Sequence, residues 1–444
     1  MLVYNAYIIN DGHIYLGWLR TDGPLIAAMG EGEPSPELLK QENGSVVDAE
    51  GQYLLPGAID AHVHFREPGL THKASIYSES RAAIAGGVTS FMDMPNTKPL
   101  TTDRQTWQEK CDIAKRTAYA NYAFYIGATN TNLEELKALD PTRVCGVKLF
   151  MGSSTGNMLV NDSLALERLF EEVKIPIAVH CEDEQTIQEN IQRYRSEYGD
   201  DVPMRMHPLI RSREACLKST ERAVALALKY NAQLHVLHVT TKEEVELFKS
   251  LRGNSHIAAE TCPHYLYFTD EDYSVYGSKI KCNPAIKTKE DRDALIQALK
   301  DGVINTIGTD HAPHLLEEKA GTYFKAVSGF PSIQHALPLM FDIAQQHEIS
   351  LATIVRLMSH APADIYRIEG RGYLKPGYYA DFVLIGNTAN RITRESLLYK
   401  CHWSPLEGYT MKHQVILTVL NGNIVYKDGK TNDIKAAMPL TFCR

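Results

Sequence analysis

The chain has 444 residues, 44% of them hydrophobic and 23% charged, proportions of an ordinary globular protein that exclude disordered and fibrous classes. Lysine and arginine total 46 against 54 acidic residues, a formal charge of -8 with no long basic run, so nucleic acid is not an expected partner. The opening "MLVYNAYIINDGHIYLGW" lacks a basic stretch ahead of a sustained apolar run, and no segment offers the roughly 18 apolar residues that cross a bilayer; a cytoplasmic protein without membrane contact is expected.

Residues 1–53 read as short strands and turns, as in "IINDGHIYLG". From about residue 55 to about 370, apolar runs alternate with amphipathic stretches. The runs are "LLPGAIDAHVHF" (54–65), "VTSFMDMPN" (88–96), "NYAFYIGAT" (121–129), "VCGVKLFMG" (144–152), "IPIAVHCED" (175–183), "QLHVLHVTT" (233–241), "SHIAAETCP" (255–263) and "INTIGTDHAPH" (304–314). Helical spacing falls between them, over 75–86, 134–138, 164–173, 213–230, 242–251 and 289–300. Eight such alternations predict an α/β chain closed into a (β/α)8 TIM-like barrel over 54–371, with an open doubly wound sheet as the structural rival. Beyond it, "GYLKPGYYADFVLIG" and "VILTVLNGNIVYKDGK" are again β-rich and punctuated by Gly, Pro and Asn-Gly. The two termini, 1–53 and 372–444, therefore predict one small β-sandwich domain. The eight cysteines form no C-x-x-C pair and read as free thiols.

Polar side chains at the C-terminal ends of barrel strands converge on one face, where such folds do chemistry. His62 and His64 close the first run, Lys148 lies in the fourth, His180 ends the fifth, His238 the sixth and Asp310 the eighth. Positions two apart on a strand point the same way, so His62 and His64 project as a pair, with Asp60 in phase. Four imidazoles, a carboxylate and a lysine from five strands form a donor set for two divalent cations such as Zn2+. Each histidine alone would read as a hydrogen-bonded core residue, and Asp310 alone as a helix N-cap; the conjunction points to metal. An ammonium beside dications would be repelled, so Lys148 is expected as a carbamate, formed with carbon dioxide and bridging the two cations about 3.5–4 Å apart. Water shared by the pair would deprotonate near neutrality, with Asp310 as general base and then general acid.

At "DAHVHFREPG", "DMPNT", "VKLFMG", "VHCED", "ETCPH", "KCNPAIK" and "GTDHAPH" the chain resembles the dihydroorotases of the amidohydrolase superfamily. The C-terminal "HWSPLEGYTMKHQVILTVLNGNIVYKDGK" is similar to that family's closing β-domain, so order and spacing persist over nearly the whole length. The resemblance implies a binuclear zinc enzyme that interconverts L-dihydroorotate and N-carbamoyl-L-aspartate in pyrimidine synthesis. It implies His62 and His64 on one zinc, His180 and His238 on the other, carboxylated Lys148 and hydroxide between them, and Asp310 as ligand and proton carrier. Arg66 offers a planar fork for the substrate's carboxylate; its bland alternative is a surface ion pair with Glu67. Asn96, Asn283 and His314 match the family's other carboxylate- and ring-binding positions, and Ser328 and Gly329 a further contact point. "MGSSTGNM" (151–158) sits where a lid would close, with Gly152 and Gly156 as hinges and Thr155 as its tip.

Departures are "NPAIK" where many members read "NPPLR", and "GFPSIQH" where others read "GFPGLET". Some relatives bridge their metals with aspartate, but Asp162, the nearest candidate downstream of Lys148, stands too far along the chain. An allantoinase or dihydropyrimidinase would use the same metal cage but typically lacks an arginine at position 66. A non-catalytic scaffold would have lost ligands, and none is lost. The expected partner is a small-molecule substrate; a homodimer is compatible with the chain. The remaining histidines, among them His72, His207, His235, His264, His311 and His335, read as structural.

Overall fold

A computed structural model describes residues 1–42, 44–151 and 158–444. Among them, eight parallel barrel strands follow in chain order: Ala58–Val63, Val88–Asp93, Asn121–Phe124, Val147–Phe150, Ile177–His180, Leu234–Val236, Ile257–Thr261 and Thr306–Ile307. The third runs on through Tyr125 into Ile126–Gly127, pairing with the second strand before Tyr125 and with the fourth after it. Val63 bridges His311 in parallel, and the His64 amide donates to the His311 carbonyl at 2.8 Å, so the sheet closes rather than staying open. The register sets Phe150 beside His180, which brings the ends of the fourth and fifth strands level.

Two of the expected runs are divided. In 54–65, Tyr53–Pro56 belongs to the terminal sheet and Ala58–Val63 to the barrel. Gly57 stands between them because a Cβ there would lie 2.1 Å from Thr89 Oγ1, a closeness that only glycine permits. In 304–314 the strand stops at Ile307, and the remainder leaves the ladder to carry Asp310, whose φ of 47° is incompatible with a strand.

The helices lie outside the barrel and begin where the sequence supplies caps. Ser75 and Ser78 cap Ile76–Ala85 reciprocally, and Asp162 accepts from Ala165 N at 2.7 Å to start Ser163–Glu172. Asp162 is therefore a helix cap. Arg104–Thr117 and Glu184–Tyr198 were not among the expected helices, and each buries only three side chains, which leaves a faint apolar stripe.

Nine strands from both ends of the chain form one hydrogen-bonded sheet. Its centre is Leu2–Asn10 against Tyr53–Pro56 against Phe382–Gly386 against Gln414–Leu420. Alternate residues feed opposite cores: Ile8, Leu54 and Leu384 pack within the terminal domain, while Ile9, Leu55 and Ile385 pack toward the barrel. Each such fully buried aliphatic side chain contributes about 1.5–3 kcal/mol, so the sheet is fused to the barrel rather than tethered. No helix among the described residues is long and apolar enough to cross a membrane.

Candidate metal centre

One cleft at the C-terminal end of the barrel is lined by His62, His64, Lys148, His180, His238 and Asp310. Arg66, Asn96, Asn283, His314, Ser328 and Gly329 line it as well, so the described residues expected as metal ligands or substrate contacts share one cleft, joined by Phe150 and Ala312, which were not foreseen. Thr155, with Gly152 and Gly156, lies outside the described residues. Three of the polar residues turn into the cleft through left-handed backbone, Arg66 at φ 66°, His238 at 42° and Asp310 at 47°. Such conformations cost on the order of 1–3 kcal/mol each and persist where the surrounding fold imposes them.

Proton counting shows what the first histidine pair can hold. Burial pulls the pKa of His62 down to about 3 and that of His64 to about 4, so each ring is neutral with a single N–H. His62 Nδ1 lies 2.8 Å from Glu260 Oε1, and His64 Nδ1 lies 2.7 Å from Asn96 Oδ1; both oxygens accept, so both protons reside on Nδ1. The two Nε2 lone pairs then face one oxygen, Asp310 Oδ1, at 3.2 and 3.1 Å. Three acceptors aimed at one point repel each other unless a cation lies between them, and the donor set therefore fits a metal ion. His62, His64 and Asp310 can each offer a ligand atom within 4.8 Å of the others.

The second pair stands beside the first, with the His238 ring centroid 5.3 Å from that of His62. His180 Nδ1 is 2.9 Å from His238 Nε2, while His180 Nε2 is 3.0 Å from Glu182 Oε2, itself ion-paired with Arg211. Glu182 thus orients His180 as Glu260 orients His62. Lys148, 1% exposed, makes no ion pair among the described residues, and burial pulls its ammonium down to about 8. A substantial neutral fraction near physiological pH is the form that reacts with carbon dioxide.

Arg66 completes the wall and is 7% exposed. Its Nε donates to the Pro313 carbonyl at 3.1 Å and an Nη lies 3.0 Å from His314 Nε2. Glu67 accepts instead from the Ile76 amide at 2.8 Å, so the surface ion pair weighed from the sequence is not formed. Burial, followed by Arg66, Lys73 and Lys319, pushes His314 well below its usual pKa. Trp403 Nε1 anchors the His314 carbonyl at 2.7 Å. Lys319 Nζ donates to the carbonyls of Lys281, Val327 and Gly329 at 3.0, 2.8 and 2.8 Å, which fastens the Ser328–Gly329 lining.

Comparison with known proteins agrees with this geometry. The Amidohydrolase family model matches residues 53–425. A dihydroorotase from Methanosphaera stadtmanae is 30% identical over 397 residues, covering 89% of this chain and 90% of its own. An allantoinase from Salmonella choleraesuis is 29% identical over 440 residues, covering 96% of this chain and 95% of its own. Among solved structures, an L-hydantoinase (dihydropyrimidinase) from Arthrobacter aurescens superposes with a TM-score of 0.93 at 25% identity, covering 99% of each chain. With barrel, strand-end histidines and sequence match in agreement, this chain belongs to the amidohydrolase family and is an enzyme of the cyclic-amide hydrolase kind.

Proposed function

We propose that the protein is a dihydroorotase, opening the ring of L-dihydroorotate to N-carbamoyl-L-aspartate and closing it again. Arg66 carries this reading. A buried guanidinium without a carboxylate partner among the described residues is costly, and a substrate carboxylate compensates it. Burial lowers its pKa only to about 10, so it stays charged at neutral pH.

In this reading His62 and His64 would hold one cation and His180 and His238 the other, and Lys148, carboxylated on Nζ, would supply an anionic ligand. Zn2+ suits so nitrogen-rich a set. Bound divalent cations supply Lewis-acid polarisation of the ring amide and lower the pKa of water. Asp310, facing both His62 and His64, accepts the proton of the attacking water and returns it to the departing ring nitrogen. Arg66, Asn96, Asn283 and His314 fix the carboxylate and ring, and Ser328 and Gly329 close the same wall.

The allantoinase and hydantoinase relatives supply the second reading, a hydrolase of neutral rings; Arg66 speaks against it, because allantoin, hydantoin and dihydrouracil carry no carboxylate. Parallel assays of dihydroorotate, allantoin, hydantoin and dihydrouracil with metal-loaded protein test the choice. Strong preference for dihydroorotate is expected; comparable turnover of the others, or none of dihydroorotate, refutes the assignment.

A further inference from the structure

We propose that Glu260, His235 and Tyr366 form one positioning chain through the barrel interior that fixes which nitrogen His62 presents to a bound cation. The inference rests on the metal-binding part of the function proposed above. His62 Nδ1 lies 2.8 Å from Glu260 Oε1. Glu260 Oε2 faces His235 Nε2 at 3.6 Å, a few tenths of an ångström beyond hydrogen-bond length. Neither of those two buried atoms has any other hydrogen-bond partner. His235 Nδ1 then meets Tyr366 OH at 2.5 Å, and Tyr366 OH meets Tyr125 OH at 2.7 Å. Glu260, His235, Tyr366 and Tyr125 are all 0% exposed, so water cannot substitute for a missing member.

With Glu260 ionised the protons fall into one order. A carboxylate only accepts, so a neutral His235 must keep its single N–H on Nε2, toward Glu260; on Nδ1 it would leave a lone pair against an anion. His235 Nδ1 therefore accepts from Tyr366, and Tyr125, whose OH lies 2.9 Å from the Ala61 carbonyl as well as 2.7 Å from Tyr366 OH, shares its one proton between them. Each oxygen of Glu260 then takes one imidazole N–H, from His62 on one side and His235 on the other. That arrangement holds the carboxylate in place and leaves His62 Nε2 bare for a metal ion.

Gly308 gives independent evidence that the carboxylate position is built into the fold. A Cβ on Gly308 would stand 2.4 Å from Glu260 Oε2 and 2.6 Å from its carboxyl carbon, although the backbone there needs no positive φ. The glycine is required by the space that Glu260 occupies. Tyr366 is the last residue of Ala361–Tyr366, so the chain also couples the metal centre to a helix far from it in sequence.

The test compares the whole enzyme with Tyr366→Phe, Gly308→Ala, Glu260→Gln and the Tyr366→Phe/Glu260→Gln double variant. Zinc affinity is read by competition with a chelator, the ligand field by the absorption spectrum of the cobalt-substituted protein, and structural damage by melting of the metal-free form. Glu260→Gln and Gly308→Ala are expected to lose about 10- to 100-fold in metal affinity. Tyr366→Phe should lose several-fold, shift the cobalt spectrum and leave the metal-free melt unchanged, and the double variant should lose no more than Glu260→Gln alone. Unchanged affinity in Tyr366→Phe and Gly308→Ala, fully additive losses, or losses that track the metal-free melt each overturn the chain. Wild-type protein that binds no zinc overturns both the chain and the metal reading, whereas zinc binding without preference for dihydroorotate removes only the substrate reading.

Discussion

Thr309 grips both oxygens of Asp60, its amide donating to Oδ1 at 3.1 Å and its hydroxyl to Oδ2 at 2.6 Å. The His62 amide donates to Oδ1 as well, at 3.1 Å. Asp60 therefore ties the first barrel strand to the residue before Asp310, and so fixes how His62 and His64 stand relative to Asp310 without itself lining the cleft. Asp60→Ala leaves three buried donors without an acceptor and should cost on the order of 3 kcal/mol. Denaturant unfolding of the metal-free protein checks this; a loss below about 1 kcal/mol would contradict it.

Arg66 should govern substrate binding more than turnover. Removing a charge-assisted contact to a carboxylate is worth roughly 1.5–3 kcal/mol, so Arg66→Ala should lower kcat/KM for dihydroorotate by about 10- to 100-fold, mostly through KM. Arg66→Lys should not restore it, because an ammonium cannot make the planar double contact. An unchanged KM in Arg66→Ala speaks against the clamp.

With Lys148 as the bridging carbamate proposed above, Lys148→Ala should lose metal and activity together. A small carboxylic acid added to that variant should recover part of both. Elemental analysis alongside turnover decides it, and full activity without any added acid would show that the lysine is no bridge.

Acid stability offers a test away from the cleft. His335 is buried, and burial lowers its pKa from 6.5 to about 4. Between those values the unfolded chain binds the proton and the folded chain does not, so stability falls as pH drops from 6.5 toward 4 and is fully present above 6.5. The contribution is on the order of 3 kcal/mol. His335→Asn, which can still meet Tyr399 OH, should flatten this part of the pH dependence of metal-free unfolding; an unaltered slope would assign it to other groups.

The cleft was legible because barrel topology converts strand ends into neighbours. His62, His180, His238 and Asp310 needed only the count of strands, and Arg66 only its offset from a histidine pair. Glu260 was not legible: inside "SHIAAETCP" a carboxylate looks like any strand-end residue, and its bond to His62 spans 198 positions. Glu182 escaped for the same reason, although its two-residue offset from His180 places both on one side of an extended segment. His235, dismissed as structural, is structural in a specific way, since it touches what orients a ligand. Lys110 and Asp93 form a fully buried ion pair at 2.6 Å that composition could not suggest, because Lys110 lies on a helix with little apolar character. The break at Gly57 was invisible because both halves of 54–65 are apolar and extended, and only the approach of Thr89 separates them.

The terminal sheet has a consequence for the order in which the molecule can assemble. Tyr53–Pro56 finds one neighbour in Leu2–Asn10 but must wait for Phe382–Gly386 to occupy its other side. The last residues then reach back to the barrel, where Leu440 donates to the Tyr122 carbonyl at 2.8 Å. A growing chain on the ribosome therefore carries an unpaired, apolar strand edge throughout synthesis of the barrel, the kind of edge that recruits other chains. Pairings across more than 300 residues are slow to form, so recovery from denaturant should be limited by this late seam and by self-association at that edge rather than by the barrel's local β-α units.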